Sequence, residues 1–302
     1  MRLRLLLLML LTILSLNYGM RVAHCGSEWL ELGGAKPNVS KDVAIGLFTD
    51  ANEKYTQAAK LAAAKSNLEA AQLLQEAALQ YETILAGGFR HGQIYYNLGN
   101  VYYRQGKLGK SILNYRRAQR LMPRNTDLDA NLRLVKTTTE DKELSPEISP
   151  VVQKMFFWFF MLNQNELTVV AMSLYVVLMG IISLFIFLKF SWCRGVIVGL
   201  SVGLFIALVS LGIKIYREEG VTCGVVVTKC QVRYGPGGEY EPKFEIHDGA
   251  ECVIEGEKND WYRVYVNVGV KEMAGSKTSG EEQANSKEVR SGWLCRGEVD
   301  KI

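Results

Sequence analysis

The stretch Tyr95–Pro123, YYNLGNVYYRQGKLGKSILNYRRAQRLMP, decides how most of this chain is interpreted. Two glycines, Gly99 and Gly106, interrupt an otherwise helical pattern, and Pro123 closes it. Because Gly99 has no side chain, a partner helix can approach closely there. Gly106 supplies a turn, and Pro123 ends the second helix. The spacing therefore predicts two helices joined by a short turn, and it fits no catalytic motif.

The same stretch resembles the tetratricopeptide repeat family, whose units are about 34 residues long. Besides the two glycines and the proline, the matching positions are Tyr95, Leu98, Tyr102, Tyr115 and Ala118. The departure is Ser111, where the family normally has alanine, but a small residue still permits close helix contact. One repeat cannot bury its own faces, so neighbouring repeats are expected.

Flanking segments provide those neighbours. Upstream, LFTDANEKY and AALQYETIL read as the first and second helices of a preceding repeat with a long insertion between them. Ser66–Asn67 is a turn and cap signal within the insertion, so it predicts a long helical hairpin; one continuous bent helix is the alternative. Downstream, NTDLDANLRLVK predicts a closing helix capped by Asn125 or Thr126. The repeat domain is predicted at residues 41–140.

In this family the first helices line a concave groove that binds peptides. The resemblance implies a partner-binding groove lined by Phe48, Asn52, Tyr55, Tyr96, Asn100, Tyr103, Arg104 and Asn131. Amide side chains would hydrogen-bond an extended backbone, and the aromatic residues would hold apolar side chains. Alternatively, Asn100 only bridges helices within the stack. Phe48 and Leu128 stand where a carboxylate clamp would need lysine or arginine, so a C-terminal carboxylate ligand is not expected.

Two windows without charge, 167–188 and 195–213, are each long enough to cross ~30 Å of hydrocarbon as a transmembrane helix. Lys189 and Arg194 make the intervening turn basic, which favours a cytoplasmic position for it. Before the first window, residues 151–166 include KMFFWFFML, which predicts an interfacial aromatic segment.

The N-terminal sequence MRLRLLLLMLLTILSL has the basic start and apolar core of a secretory signal. We predict a signal peptide over residues 1–25, with the cut between Gly19 and Ser27. VAHC, ending at Cys25, resembles a lipoprotein acylation site, but His24 stands where a small residue is required; an ordinary cysteine is the alternative. These signals together place both soluble parts on the non-cytoplasmic face.

From residue 222 to residue 302 the pattern changes to short alternating strands separated by Gly-Pro-Gly, Asp-Gly and Asn-Asp turns. QVRYGPG, HDGAECVI, DWYRVYV and GWL are similar, in that order, to the bacterial SH3 (SH3b) domain. The resemblance implies a small β-barrel. Tyr234 departs from the small residue usual after Arg233, and a polar stretch, residues 270–289, interrupts a hairpin.

The SH3-like resemblance marks an aromatic ligand face formed by Tyr234, Tyr240, Trp261 and Trp293. Trp261 and Trp293 are equally compatible with the core. The cysteines of this part, where export would permit disulfides, are Cys223, Cys230, Cys252 and Cys295. Four cysteines allow three pairings. Cys230 and Cys252 fit a disulfide or two inert thiols, and Cys223 and Cys295 flank the barrel ends, which lie close together in SH3 folds.

Composition excludes several other classes. A net charge of +4 is too small to indicate a nucleic-acid-binding surface. His24, His91 and His247 lie far apart, and the chain has no HExxH, CxxC or GxxxxGK motif, so we expect no metal and no cofactor. No Ser/His/Asp, Cys/His or paired-carboxylate arrangement stands in a motif context, so we do not expect an enzyme.

The whole order of segments resembles the BatE-type proteins of bacterial aerotolerance operons: a multidomain α plus β chain with repeats, a two-span membrane hairpin and an SH3-like barrel. That resemblance implies a scaffold in the lipid of the bacterial inner membrane, with periplasmic soluble domains. Its implied partners are membrane proteins with von Willebrand factor A domains, which work beside a MoxR-type ATPase. The expected function is a non-catalytic adaptor. The alternative is a cell-wall module that binds peptidoglycan stem peptides and recruits a wall enzyme.

Overall fold

The computed structural model describes residues 30–31, 39–141, 149–188, 192–266 and 290–302. The predicted signal peptide with Cys25, the basic residue Lys189 and the polar stretch 270–289 lie outside the described residues. The chain divides into two compact units. The larger combines Glu31–Ser149 with Val221–Ile302, and the smaller comprises Pro150–Gly220 with the residues up to Leu30.

Five helices form the first part of the larger unit. They are α1 (Lys41–Ala63), α2 (Asn67–Ala86), α3 (Gly92–Arg104), α4 (Leu108–Leu121) and α5 (Thr126–Thr138). Each helix packs against the next along the chain, in the manner of stacked helical hairpins. The chain turns at Ala64–Ser66 between α1 and α2, so the insertion is a long hairpin, not one bent helix.

Polar side chains begin several of these helices. Ser40 Oγ accepts from Val43 N–H at the start of α1, and Asn125 Oδ1 accepts from Leu128 N–H at the start of α5. These contacts satisfy amide groups that the first helical turn leaves without a partner. Asn125 and Thr126 were the two residues predicted to cap α5, and Asn125 is the one that occupies the cap position. Ser66 precedes α2 but makes no side-chain cap hydrogen bond.

Gly99 explains the close contact within the central helix pair. A Cβ at Gly99 would lie 2.6 Å from the ring of Tyr115, so only glycine lets α3 and α4 approach at this point. Beside it, Ser111 Oγ donates to the carbonyl oxygen of Gly99 at 2.9 Å. The small residue at Ser111 thus keeps the close contact and adds a hydrogen bond. Gly106, with φ of 74°, forms the turn between the two helices.

The second part of the larger unit is an antiparallel sheet. Its strands are β3 (Cys223–Val226), β4 (Cys230–Arg233), β5 (Pro242–Ile246), β6 (Glu251–Lys258), β7 (Trp261–Val266), β8 (Arg290–Cys295) and β9 (Val299–Lys301). They are ordered β5-β4-β8-β7-β6-β3-β9, with bulges after Val232 and Ile254. Alternate residues, among them Val232, Phe244 and Leu294, form its apolar core. Two short strands, β1 (Leu30–Glu31) and β2 (Phe89–Arg90), form a separate two-stranded sheet.

The helices and the sheet share buried apolar surface. Val226 of β3 belongs to the core of the sheet, whereas the preceding residue, Val225, belongs to the helical core with Ile112 and Leu128. Side chains alternate along a strand, so β3 buries one face in each core. The sequence predicts a repeat domain and a barrel as separate parts; in the structure they pack into one unit.

The smaller unit is helical in its described part. It comprises α6 (Pro150–Met155), α7 (Phe157–Met161), α8 (Gln164–Leu188), α9 (Trp192–Ile215) and a π-helical turn at Tyr216–Gly220. Two segments, Gln164–Phe187 and Trp192–Glu218, are long and apolar enough to cross a membrane, by length and composition. Both helices extend beyond the predicted windows. Residues 151–166 form α6, α7 and the start of α8.

Polar contacts join the aromatic segment of the smaller unit to α9. Lys214 Nζ donates to the carbonyl oxygen atoms of Phe159 (3.3 Å) and Leu162 (2.5 Å), and Trp158 Nε1 donates to Ser210 Oγ (3.3 Å). A buried ammonium group needs such acceptors. Lys214 therefore satisfies carbonyl groups at the end of α7, and it holds the aromatic segment against α9.

Candidate functional site

The first half of the predicted groove is built around Asn52 on α1. Its Oδ1 atom accepts hydrogen bonds from Tyr81 Oη at 2.6 Å and from Asn97 Nδ2 at 2.7 Å. Asn97 Oδ1 accepts in turn from Gln93 Nε2 at 3.0 Å. The ring of Phe48 packs edge-on against Tyr81, with 6.0 Å between ring centroids. Asn52 therefore links α1 to both α2 and α3.

The second half repeats this arrangement around Asn100 on α3. Asn100 Oδ1 accepts from Tyr115 Oη at 2.6 Å and from Asn131 Nδ2 at 3.1 Å. Asn131 Nδ2 also lies 3.0 Å from Tyr96 Oη, and the Tyr96 and Tyr115 rings are 6.0 Å apart. Asn100 thus links α3 to α4 and α5, as Asn52 does one repeat earlier.

Burial keeps the hydroxyl groups of both tyrosines in their protonated form. It raises the pKa of Tyr81 to about 12, and it raises the pKa of Tyr115 still further. Both hydroxyl groups therefore remain protonated at physiological pH and donate to the asparagine oxygen atoms.

Tyr55 and Arg104 close one end of this polar network. Arg104 Nε donates to Tyr55 Oη at 2.9 Å, and its guanidinium carbon lies 5.2 Å from the centroid of the Tyr55 ring. Tyr55 and Tyr103 are half-buried, whereas Arg104 is exposed. Tyr103 packs against the helical core.

The amide oxygen atoms of the groove are used inside the stack. For Asn100 this is the bridging role described above as the alternative to ligand binding. The Nδ2 atoms of Asn52 and Asn100, by contrast, have no hydrogen-bond partner in the part of the chain that the structure describes. Both side chains are partly exposed. The stack therefore fixes the oxygen atom of each amide and leaves its NH₂ group unused within the described part of the chain.

Sequence reasoning named the asparagines of the groove but not the residues that orient them. Tyr81 and Tyr115 hold equivalent places on the second helices of the two pairs, which is a signal that the alignment of the repeats contained. Gln93 and Asn97 are one helical turn apart on α3, and their role depends on contact with α1. No pattern within the repeat reveals that contact.

On the sheet, the predicted aromatic residues lie outside the core. Tyr262 and Leu294 are core residues, so their strand neighbours Trp261 and Trp293 point to the opposite face, where both are half-buried. Neither tryptophan is therefore part of the apolar core of the sheet, which was the alternative considered for both. Trp293 lies opposite Arg263 in one ladder and Arg233 in the other.

Arg233 connects this face to the loop after β4. Its Nη1 donates to the carbonyl oxygen atoms of Gly238 (3.1 Å) and Tyr240 (2.6 Å). Tyr234 and Tyr240 are exposed on that loop, and Lys243 Nζ lies 5.4 Å from the Tyr234 ring centroid. A cleft of about 450 Å³ beside Trp261 is lined by Arg233, Glu245 and Glu298, among others.

The four cysteines of the sheet are free thiols in the structure. Burial raises the pKa of Cys230 and raises that of Cys252 to about 12, which is the behaviour of inert thiols. Cys223 on β3 and Cys295 on β8 are not on neighbouring strands. The predicted disulfide pairings are not observed and stay predictions.

A charged cluster fastens the sheet to the helices. Glu251 of β6 accepts from Arg116 through both oxygen atoms, at 2.7 and 2.9 Å, and Lys136 Nζ lies 3.2 Å from its Oε1. Burial alone would raise the pKa of Glu251, but Arg116 and Lys136 outweigh burial and hold that pKa below its usual value. The carboxylate is therefore charged at neutral pH and bound by two cations.

Two further contacts lie beside this cluster. Asp248 Oδ1 accepts from Gly109 N–H at 2.9 Å, in the first turn of α4, where a negative charge is favourable. Asp141 accepts from the backbone N–H of His247 at 2.6 Å, and the His247 ring lies between Asp141 and Glu140 at 3.1 and 3.2 Å. Carboxylates thus fix the loop at His247–Asp248 to the helical part.

Within the described residues, no three His, Cys, Asp or Glu side chains come together as a metal site. A family model for the tetratricopeptide repeat matches residues 92–125, the segment that contains α3 and α4. The repeat predicted from Tyr95–Pro123 is therefore confirmed. Comparison with curated proteins found no match. Such repeats bind other proteins, so the chain is a protein-interaction scaffold.

Proposed function

We propose that this protein is a membrane-anchored, non-catalytic adaptor of a Bat-type envelope complex. Its concave groove binds an extended peptide segment of a membrane protein with von Willebrand factor A domains. Its SH3-like sheet is a second binding module on the same, periplasmic face. The observation that carries the proposal is the repeated asparagine network, which leaves the amide N–H groups of Asn52 and Asn100 available in two successive repeats.

The chemistry of the groove suits an extended peptide. Amide donors recur in two successive repeats and can donate to main-chain carbonyl groups, and partly exposed aromatic rings accept apolar side chains. Tyr81 and Tyr115 orient both asparagines before any ligand arrives. Less conformational entropy is therefore lost when a peptide binds.

The shared core supports the proposed topology. Residues before α6 and after α9 pack into one unit through Val225, which supports a position of both on the same side of a membrane. If α8 and α9 each cross the bilayer, the chain returns to the side it left. Export of the N-terminal part then places the whole larger unit in the periplasm.

Labelling tests that topology directly. Cysteine substitutions Ala64→Cys, between α1 and α2, and Thr228→Cys, between β3 and β4, both fall at exposed positions. We expect a membrane-impermeant maleimide to label both from the periplasmic side of intact cells. Labelling of only one of them, or of both only after lysis, would exclude the proposed arrangement.

Photo-crosslinking tests the groove. We would place a photoreactive phenylalanine analogue at Tyr96, inside the network, and as a matched control at Leu79, an exposed residue of α2. The adaptor function predicts that a membrane protein with a von Willebrand factor A domain is captured from Tyr96 and not from Leu79. Equal capture from both positions would rule out binding in the groove.

A second candidate, the cell-wall module, is favoured by the cleft beside Trp261. Arg233 and Glu245 offer both charges within about 450 Å³, which suits a short peptide that carries an amine and a carboxylate. Sedimentation of the purified chain with sacculi, compared with the Trp261→Ala variant, tests it. Sedimentation that depends on Trp261 supports the cell-wall function. If the chain does not sediment with sacculi, the adaptor function is supported instead.

A further inference from the structure

A second cleft lies outside the concave groove, where the end of β9 meets the helices. It has a volume of about 520 Å³, and three arginines line it: Arg90 from β2, and Arg117 and Arg120 from α4. A fourth cation, Lys301, also lines it, and the rest of its wall is mainly apolar, with Leu85, Tyr95 and Leu121. The concave groove is formed by the first helices of the repeats, so this cleft is a distinct surface.

The described chain balances the charge of the three guanidinium groups only in part, since Asp300 lies close enough to Arg117 to act on its pKa. Arg117 donates to the carbonyl oxygen of Lys301, and Arg120 Nη1 donates to that of Ile302 at 3.1 Å. In the residues that the structure describes, none of the three arginines forms an ion pair with a side-chain carboxylate. A guanidinium group has five N–H donors, so most of these donors remain for a ligand.

Burial of Arg117 has an electrostatic cost. Burial is the main cause that lowers the pKa of Arg117; Tyr95 and Asp300 raise that pKa, and Arg90 and Arg120 lower it by smaller amounts. A bound anion would stabilise the buried guanidinium charge, and in a half-buried cleft its charge is screened less than on an open surface.

The cleft already binds one peptide segment of this chain. Ile302 packs its side chain against the helical core while its carbonyl oxygen accepts from Arg120. The surface thus combines an apolar subsite with guanidinium donors for main-chain or carboxylate oxygen atoms. The wall combines apolar side chains with guanidinium donors, and one residue of this chain, Ile302, already occupies both, so an extended peptide fits the cleft better than a lipid headgroup.

We propose that this cleft is a second docking site, and that it binds an acidic segment of a protein partner in which glutamate or aspartate alternates with large apolar residues. The carboxylates pair with Arg90, Arg117 and Arg120, and the apolar side chains contact Leu85, Leu121 and Ile302. The site is separate from the concave groove, so its failure would leave the function proposed above intact.

Fluorescence anisotropy tests the proposal on the full chain in phosphatidylcholine nanodiscs. The probe is a labelled peptide, Gly-Leu-Glu-Leu-Glu-Gly, and its neutral match is Gly-Leu-Gln-Leu-Gln-Gly. We expect the acidic probe to bind at least tenfold more tightly. Arg90→Gln and Arg120→Gln should each weaken it about tenfold, the size of one charge-assisted contact. Arg133→Gln, an exposed control on α5, should change it less than twofold.

Arg90 is the decisive position, because it is exposed and makes no described contact that its loss would break. Equal binding of the acidic and neutral probes would overturn the proposal. So would equal weakening by Arg90→Gln and Arg133→Gln, since that result indicates general charge attraction. Binding of phosphatidylglycerol vesicles that depends on Arg90, without binding of the peptide, would assign the cleft to lipid and overturn the peptide site.

Discussion

Glu251→Gln tests whether the charged cluster holds the sheet on the helices. The glutamine keeps the shape of the side chain but replaces one acceptor oxygen by an NH₂ donor, which then faces the donors of Arg116 or Lys136. Glu251 is 15% exposed, and Arg116 and Lys136 are 30% and 25% exposed. Breaking a fully buried ion pair costs about 3–5 kcal/mol, and partial exposure reduces this to about 2–3 kcal/mol.

The readout is hydrogen exchange of the full chain in detergent, measured by mass spectrometry. The informative fragments contain the Gly109 amide, because this amide donates to Asp248 across the same contact surface. A loss of about 2–3 kcal/mol predicts exchange roughly 30- to 150-fold faster when separation of the sheet limits it. The matched control is Glu255→Gln, which removes a pair with Arg263 whose side chains are 47% and 48% exposed. Such a surface pair contributes less than about 1 kcal/mol.

The same contact predicts a pH dependence. Because the pKa of Glu251 is depressed in the folded state, its contribution is complete above the usual value of about 4.5 and is lost as the pH falls through the lower folded value. The wild-type chain should therefore approach the exchange rate of Glu251→Gln in acid, after correction for intrinsic exchange. If Glu251→Gln exchanges no faster than Glu255→Gln at neutral pH, the cluster does not hold the sheet.

Substitutions at four further positions test the larger unit by thermal unfolding. Gly109→Ala would place a Cβ 2.2 Å from the carbonyl oxygen of Val226, so we expect a loss of about 1–3 kcal/mol; an unchanged Tm would contradict this close contact. Asn125→Ala removes the cap of α5 and should cost about 1 kcal/mol, whereas Asn125→Asp should retain most of the stability. Tyr81→Phe and Tyr115→Phe each remove one hydroxyl donor to an asparagine and should cost about 1 kcal/mol alike; a large difference between them would show that the two networks are not equivalent.

The helical part was predictable because its signals are local. Gly99, Gly106 and Pro123 provide the close contact, the turn and the helix end of one helix pair. Ser66–Asn67 marks the turn inside the insertion. Asn125 stands directly before the helix that it caps. Backbone chemistry over a few residues determines such features, so one sequence contains them.

The attachment of the sheet was not predictable in the same way. Arg116 and Glu251 look like ordinary surface residues in their own segments, and they meet only because α4 and β6 pack together. Gly109 gave no signal either, since its partner Asp248 is far away in sequence. The arginine cleft likewise requires β2, α4 and the end of β9 at once. Long-range contacts of this kind depend on how whole elements dock, which residue patterns do not specify.

Val225 has a consequence for how the protein is made. It completes the apolar core of the helices, yet the ribosome adds it only after α8 and α9 have been synthesised. The newly made repeats therefore keep an uncovered apolar patch until β3 has been synthesised. Maturation of the repeats depends in this way on synthesis beyond both apolar helices, and a chain truncated before β3 would leave that patch exposed to chaperones and proteases.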